Sequence, residues 1–133
     1  MFYRISIYRV AVYRMSIYNP VHMDHLLPLP PATFHVLIAL WDGDRHGYAI
    51  MQDVAERTGG KVKLSPGTLY GSIKRMLELG FIEEVRDKSR DADERRRTYR
   101  ATELGRKAAQ AEATRLADVL QQAKAYGLLP QES

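Results

Sequence analysis

The sequence contains no cysteine. Disulfides and thiolate metal sites are therefore excluded, and the chain suits a reducing compartment. It also lacks a long apolar run. A membrane-spanning helix needs roughly 18 to 20 apolar residues in succession, and the stretch from Phe34 to Trp41 is much shorter. A secretory leader is not expected either, because Arg4, Arg9 and Arg14 interrupt the segment it would keep apolar. No membrane partner is expected, and the cytoplasm is the default location. Enzyme chemistry has little to work with. Gly59-Gly60-Lys61 is not a phosphate loop, since the Gly-x-x-x-x-Gly-Lys-Ser/Thr spacing is missing. His22, His25, His35 and His46 do not group with carboxylates at ligand spacing. The expectation is no catalytic residue, no metal and no cofactor.

The 133 residues have room for a single domain. Net charge is +4, from 20 basic and 16 acidic residues. Three of the basic residues are Arg4, Arg9 and Arg14, in a first 22 residues that hold no acid. The rest has 17 basic residues against 16 acidic, a balance of +1. Net charge is thus weak support for a polyanionic partner, and the placement of charge must decide.

Residues 2–18 form a five-residue repeat, YRISI, YRVAV, YRMSI and a further Tyr18. Side chains alternate with period two on a strand and turn by 100° per residue on a helix. An odd repeat of five gives neither structure one apolar face. Residues 1–22 are therefore expected to lie outside the fold, with Met23 as a candidate true start. The other reading is an Arg–Tyr arm that embraces DNA. Residues 23–31 include LLPLPP, a proline-stiffened connector.

Caps, breakers and periodicity mark the elements that follow. Residues 32–42 carry Phe34, Leu37, Ile38 and Trp41 as one helical stripe, which Val36 and Leu40 widen almost all round. Such a helix is buried on most sides. In so small a chain this points to a partner subunit, with Phe34, Leu37, Leu40 and Trp41 at the interface. Residues 46–58 form a second helix, with Ile50, Met51, Val54 and Ala55 inward. Residues 65–79 form a third, with Ser65 as N-cap, Pro66 at the first position and Gly80 as stop. Its inward stripe is Leu69, Ile73, Met76 and Leu77. Two β-capable runs, 81–86 and 95–101, flank a polar loop and read as a hairpin. Thr102 caps a last helix over 103–125, where Ala113, Leu116, Leu120 and Ala123 make a short coiled-coil-like seam. This order is that of a mainly α, winged helix-turn-helix fold: three helices and a two-stranded wing over 32–101, a dimerisation helix over 102–126 and a tail over 127–133.

The third helix carries the candidate nucleic-acid surface. Opposite its inward stripe lie Gly67, Tyr70, Gly71, Lys74, Arg75 and Glu78. Lys61, Lys63, Lys74 and Arg75 fall between positions 61 and 77 without a single acid. Ser65 and Thr68 bring hydroxyls to a helix start whose free N–H groups favour phosphate. Gly71 costs the helix roughly 1 kcal/mol relative to Ala, which calls for a reason such as close approach to a groove. In the wing, Arg95, Arg96 and Arg97 run together beside an acid-rich tip of Asp87, Asp91, Asp93 and Glu94. The arginines would grip phosphates while the carboxylates limit indiscriminate binding. An ordinary solvated face and a charge-balanced hairpin are the competing readings.

His46-Gly47-Tyr48, then LSPGTLYGSIKRMLELGFIEE, then RRRTYRATELGRK occur in order. Together they resemble the PadR family of bacterial transcriptional regulators, over a match from about Thr33 to the C-terminus. The resemblance implies a winged helix with a C-terminal dimerisation helix, of the short-tailed subgroup. It implies a homodimer on a palindromic double-stranded operator, usually repressing, and in some relatives released by a small molecule. It places Tyr70 and Lys74 on the DNA-facing side of the recognition helix and Tyr48 beside the backbone. Relatives that sandwich aromatic ligands use a tryptophan on the last helix; this chain has none after Trp41, so that ligand site is not expected. A winged-helix module that binds a protein partner instead of DNA is the alternative.

Overall fold

A computed structural model describes residues 23–85 and 97–130. Among them are four α-helices: α1 (Pro31–Ala39), α2 (Gly47–Arg57), α3 (Pro66–Leu79) and α4 (Glu103–Ala125). Three short strands, β1 (Arg45–His46), β2 (Ile82–Val85) and β3 (Thr98–Ala101), form one antiparallel sheet in the order β1-β3-β2. This is the winged-helix architecture, mainly helical with a small sheet. Leu29–Ala109 form one compact unit, and the described residues on either side belong to a second. The repeat over 1–22 and the hairpin tip with Arg95 and Arg96 lie outside the described residues.

Local chemistry sets most element ends. Ser65 accepts a 3.1 Å hydrogen bond from the Thr68 amide at the start of α3. At the other end Gly80 adopts φ 79°, and the amide of Phe81 reaches back to the Met76 carbonyl at 2.9 Å. This is the left-handed helix stop that glycine allows. Thr102 caps α4 by accepting from the Gly105 amide at 3.0 Å, while its own hydroxyl donates to the Gly80 carbonyl at 2.6 Å. One threonine therefore starts α4 and ties down the end of α3.

α1 stops at Ala39, earlier than the expected Asp42. Arginines from elsewhere take a carbonyl at this end and one just past it: Arg45 Nε donates to Ala39 O at 2.7 Å, and Arg106 donates to Trp41 O at 2.8 Å. Free carbonyls at a helix C-terminus need such partners. Asp53 holds two of the surrounding arginines, with Arg57 at 2.6 Å and Arg45 at 3.6 Å. Arg57 in turn donates to the His35 carbonyl at 3.1 Å.

The core of this unit is built from Val36, Leu37 and Leu40 around α1, Ile50 and Val54 on α2, Leu69, Ile73 and Met76 on α3, with Phe81, Ile82 and Tyr99 from the sheet side. Leu37 and Leu40 are 0% and 1% exposed. They have no surface left for a partner, which corrects their placement at a dimer interface. α1 is apolar all round because its own chain surrounds it. Phe34 and Trp41 keep partial exposure. Leu77 is also corrected: it is 39% exposed. It lies about 80° round the helix from Leu69, at the edge of the stripe rather than in it.

The sheet holds a strand that the sequence reading lacks. Arg45 pairs with Tyr99 and His46 with Thr98, so the residue that caps the start of α2 also closes β1. β2 and β3 pair Ile82 with Ala101 and Glu84 with Tyr99.

Candidate nucleic-acid interface

α3 presents its polar face outward. Gly67, Gly71, Lys74, Arg75 and Glu78 are all exposed, as are Lys61, Lys63, Ser65 and Thr68 just before or at its start. A Cβ at Gly67 or Gly71 would meet nothing within 4 Å. The fold does not require these glycines, so the surface between the basic side chains is low for a reason other than packing. The Ser65 hydroxyl is engaged twice, donating to Thr68 Oγ1 at 3.0 Å and accepting from the Thr68 amide. Both hydroxyls thus stand fixed at the helix entrance, where backbone N–H groups favour an anion.

Tyr48, on the first turn of α2, is 54% exposed. Tyr70 behaves differently from its neighbours on α3. Its hydroxyl is buried, and its ring lies against Gly47. The expectation that Tyr70 points clear of the core is corrected: the side chain packs between α3 and the start of α2. The physical reason is its position, about 100° round the helix from Leu69, where α2 passes.

The wing's described part carries Arg97 and Arg100, each beside an acid. Arg97 Nε is 3.9 Å from a Glu84 carboxylate oxygen, and Arg100 Nε is 3.6 Å from one of Asp44. Neither pairing is legible in the sequence. Asp44 comes beside Arg100 only because β1 pairs with β3, and a two-residue strand leaves no periodicity to read. His46 Nδ1 lies 3.0 Å from Thr98 Oγ1, joining the start of α2 to the wing.

On α4, beyond the compact unit, Leu116, Val119 and Leu120 are 42%, 50% and 43% exposed. Ala113 is exposed and Ala123 half-buried on the same helix. Glu112 is buried there and held by Arg115 through two 2.8 Å bonds. Among the described residues no group of three or more His, Asp or Glu side chains is placed to hold a metal. No described helix is long and apolar enough to cross a membrane.

Comparison with known proteins agrees with this geometry. The family model described as the transcriptional regulator PadR-like family matches residues 36–111, more than half of the chain. A relative from Lysinibacillus sphaericus, an uncharacterised protein X, is 31% identical over 71 residues, covering 53% of this chain. The match spans 64% of that relative's own length. Among solved structures, a PadR family transcription regulator from Clostridium difficile superposes with a TM-score of 0.63 at 22% identity, covering 73% of this chain and 98% of that one. A transcriptional regulator from Clostridium thermocellum gives 0.61 at 22% identity, covering 72% and 89%. Bacillus subtilis PadR in complex with operator DNA gives 0.50 at 21% identity, covering 63% and 45%. These structures share the fold.

Proposed function

Because the chain belongs to the PadR-like family of transcriptional regulators, not to a family of enzymes, we propose that it binds a palindromic double-stranded DNA operator as a homodimer and represses transcription there. The observation that carries this reading is the outward face of α3. Lys74 and Arg75 stand exposed beside the bare surfaces of Gly67 and Gly71, and no acid occurs from Lys61 to Leu77. α3 enters the major groove, as the recognition helix of such folds does. Lys63, Lys74, Arg75 and the wing arginines Arg95, Arg96 and Arg97 neutralise phosphates. Ser65, Thr68 and the surface at Gly71 meet the groove, with Tyr48 at the backbone. Tyr70 acts mainly by holding α3 against α2.

The dimer forms through Leu116 and Leu120 of α4, flanked by Ala113 and Ala123, with Phe34 and Trp41 contributing their exposed parts. The protein works in the cytoplasm. A small-molecule effector that releases DNA fits the proposal, and its chemistry is open.

The test is selection of duplex fragments on the purified protein, followed by affinity measurement over a range of salt. Phosphate contacts release counterions, so log affinity falls linearly with log salt. A flat response, or no retained duplex, would leave the winged helix as a protein-binding module.

A further inference from the structure

The register of the wing places a carboxylate beside Arg97. Glu84 pairs with Tyr99 across β2 and β3. Arg97 lies two residues before Tyr99, so alternation brings its side chain to the same face of the sheet as Glu84. The Arg97 Nε is 3.9 Å from Glu84 Oε2, and the two side chains are 40% and 42% exposed. The contact is thus open to a phosphate arriving from solvent. Arg100 alternates to the other face, opposite Glu83, and meets Asp44 there at 3.6 Å.

We propose that Glu84 is a built-in competitor for the phosphate that Arg97 takes, so that the wing holds any duplex more weakly than its arginines alone would. The proposal rests on the DNA-binding reading above. A phosphate that binds Arg97 must displace Glu84, and the displaced carboxylate then stands beside the phosphate backbone and repels it. The arrangement suits a competitor because exposed ion pairs are weak and reversible. Arg97 is held in place without being silenced. Since the contact is to phosphate and not to bases, the loss falls equally on operator and unrelated DNA.

The experiment compares Glu84→Gln, Asp44→Asn and Arg97→Ala, with the double variant Glu84→Gln/Arg97→Ala. Each is titrated with an operator fragment selected on the full-length protein and with an unrelated duplex of the same length. The expected result is that Glu84→Gln tightens both duplexes about two- to fivefold, the range an exposed pair supports. The gain should vanish in the Arg97→Ala background. Asp44→Asn makes the same change in net charge on the other face, and should tighten binding less. Equal gains from Glu84→Gln and Asp44→Asn would reveal only a general charge effect and overturn the proposal. So would a gain that persists without Arg97. Wild-type protein that retains no duplex would instead overturn the DNA-binding reading, and the competitor role with it.

Discussion

The phenolic oxygen of Tyr70 stands 2.7 Å from the point where a side chain on Gly47 would begin, and two ring carbons stand at 3.1 Å. Contacts this short leave no room for a methyl group. Gly47→Ala must therefore push the Tyr70 ring away and loosen α2 from α3. Overpacking of this kind costs about 1–3 kcal/mol. Alanine's better helix propensity returns at most about 1 kcal/mol. The net expectation is a melting temperature several degrees lower, read by thermal denaturation, with partial recovery in Gly47→Ala/Tyr70→Phe, where the nearest atom is gone. A melting point equal to wild type would show that the ring yields freely.

Gly105 makes an even closer approach. A Cβ there would collide with the Phe81 carbonyl oxygen and lie 2.9 Å from its carbon and 3.1 Å from Phe81 Cα. These are backbone atoms, so no rotamer change relieves the clash. Gly105 is also buried within the first turn of α4. Gly105→Ala should destabilise the protein by more than Gly47→Ala, with a lower urea midpoint as the readout. The reverse ranking would mean that α4 shifts easily along the sheet.

Much of this was legible in the sequence wherever the cause is local. Ser65, Gly80 and Thr102 announce helix ends because capping is chemistry between near neighbours. The Arg97, Tyr99, Thr102 and Gly105 positions of the third motif now have separate reasons: a wing cation, a core ring, a cap and a close approach. What stayed hidden depends on distant segments meeting. β1 is two residues long and has no pattern of its own. An apolar helix such as α1 looks the same whether its own chain or a partner surrounds it, so Leu37 and Leu40 were misplaced. Tyr70 and Leu77 point in similar directions on α3, yet one is covered by α2 and the other is not. Only the packing tells them apart.

His35 should make stability depend on pH. Its Nδ1 is buried and, among the described residues, meets no hydrogen-bond partner. Burial, and then the nearby positive charge of Arg57, lower its pKa from the usual 6.5. The unfolded chain takes up this proton at about pH 6.5, whereas the folded chain resists it until lower pH. The stabilising contribution is therefore complete above the unfolded value and falls away as pH drops from there through the folded pKa. His35→Gln removes the group while the other histidines remain. The wild type should lose melting temperature between about pH 7 and about pH 5 more steeply than this variant. Parallel curves would show that His35 titrates normally.

Lys74→Ala and Arg75→Ala should separate binding from folding. Both side chains are exposed on α3, opposite its buried stripe. Neither variant opens a cavity, so melting should stay within the small range of surface changes, about 0.5 kcal/mol. DNA affinity should fall, and the slope of log affinity against log salt should flatten by about one unit for each phosphate no longer neutralised. Unchanged affinity in both variants, by fluorescence anisotropy at fixed salt, would remove α3 from the interface.

The seam of α4 should hold two copies of the chain together. Leu116, Val119 and Leu120 are each about half exposed, and Ala113 and Ala123 continue the same line at helical spacing. A helix this apolar along one side gains little from water and is marginal as an isolated element. Fully burying a leucine is worth about 1.5–3 kcal/mol relative to leaving it exposed, so covering the remaining half of each returns a part of that. A two-fold partner contributes the same residues again, because an isologous contact repeats every gain. Leu116→Glu/Leu120→Glu puts four carboxylates into that contact instead. Their desolvation outweighs the apolar gain, since buried charges without partners are costly. The expected outcome by light scattering is a monomer. Its core between Leu29 and Ala109 should still melt cooperatively, because Leu37, Ile50, Ile73 and Phe81 all lie within that one unit and are buried. Operator affinity should fall as well, since a monomer holds only one half-site. A variant that remains a folded dimer would place the subunit contact elsewhere, and a wild-type monomer would end the homodimer reading.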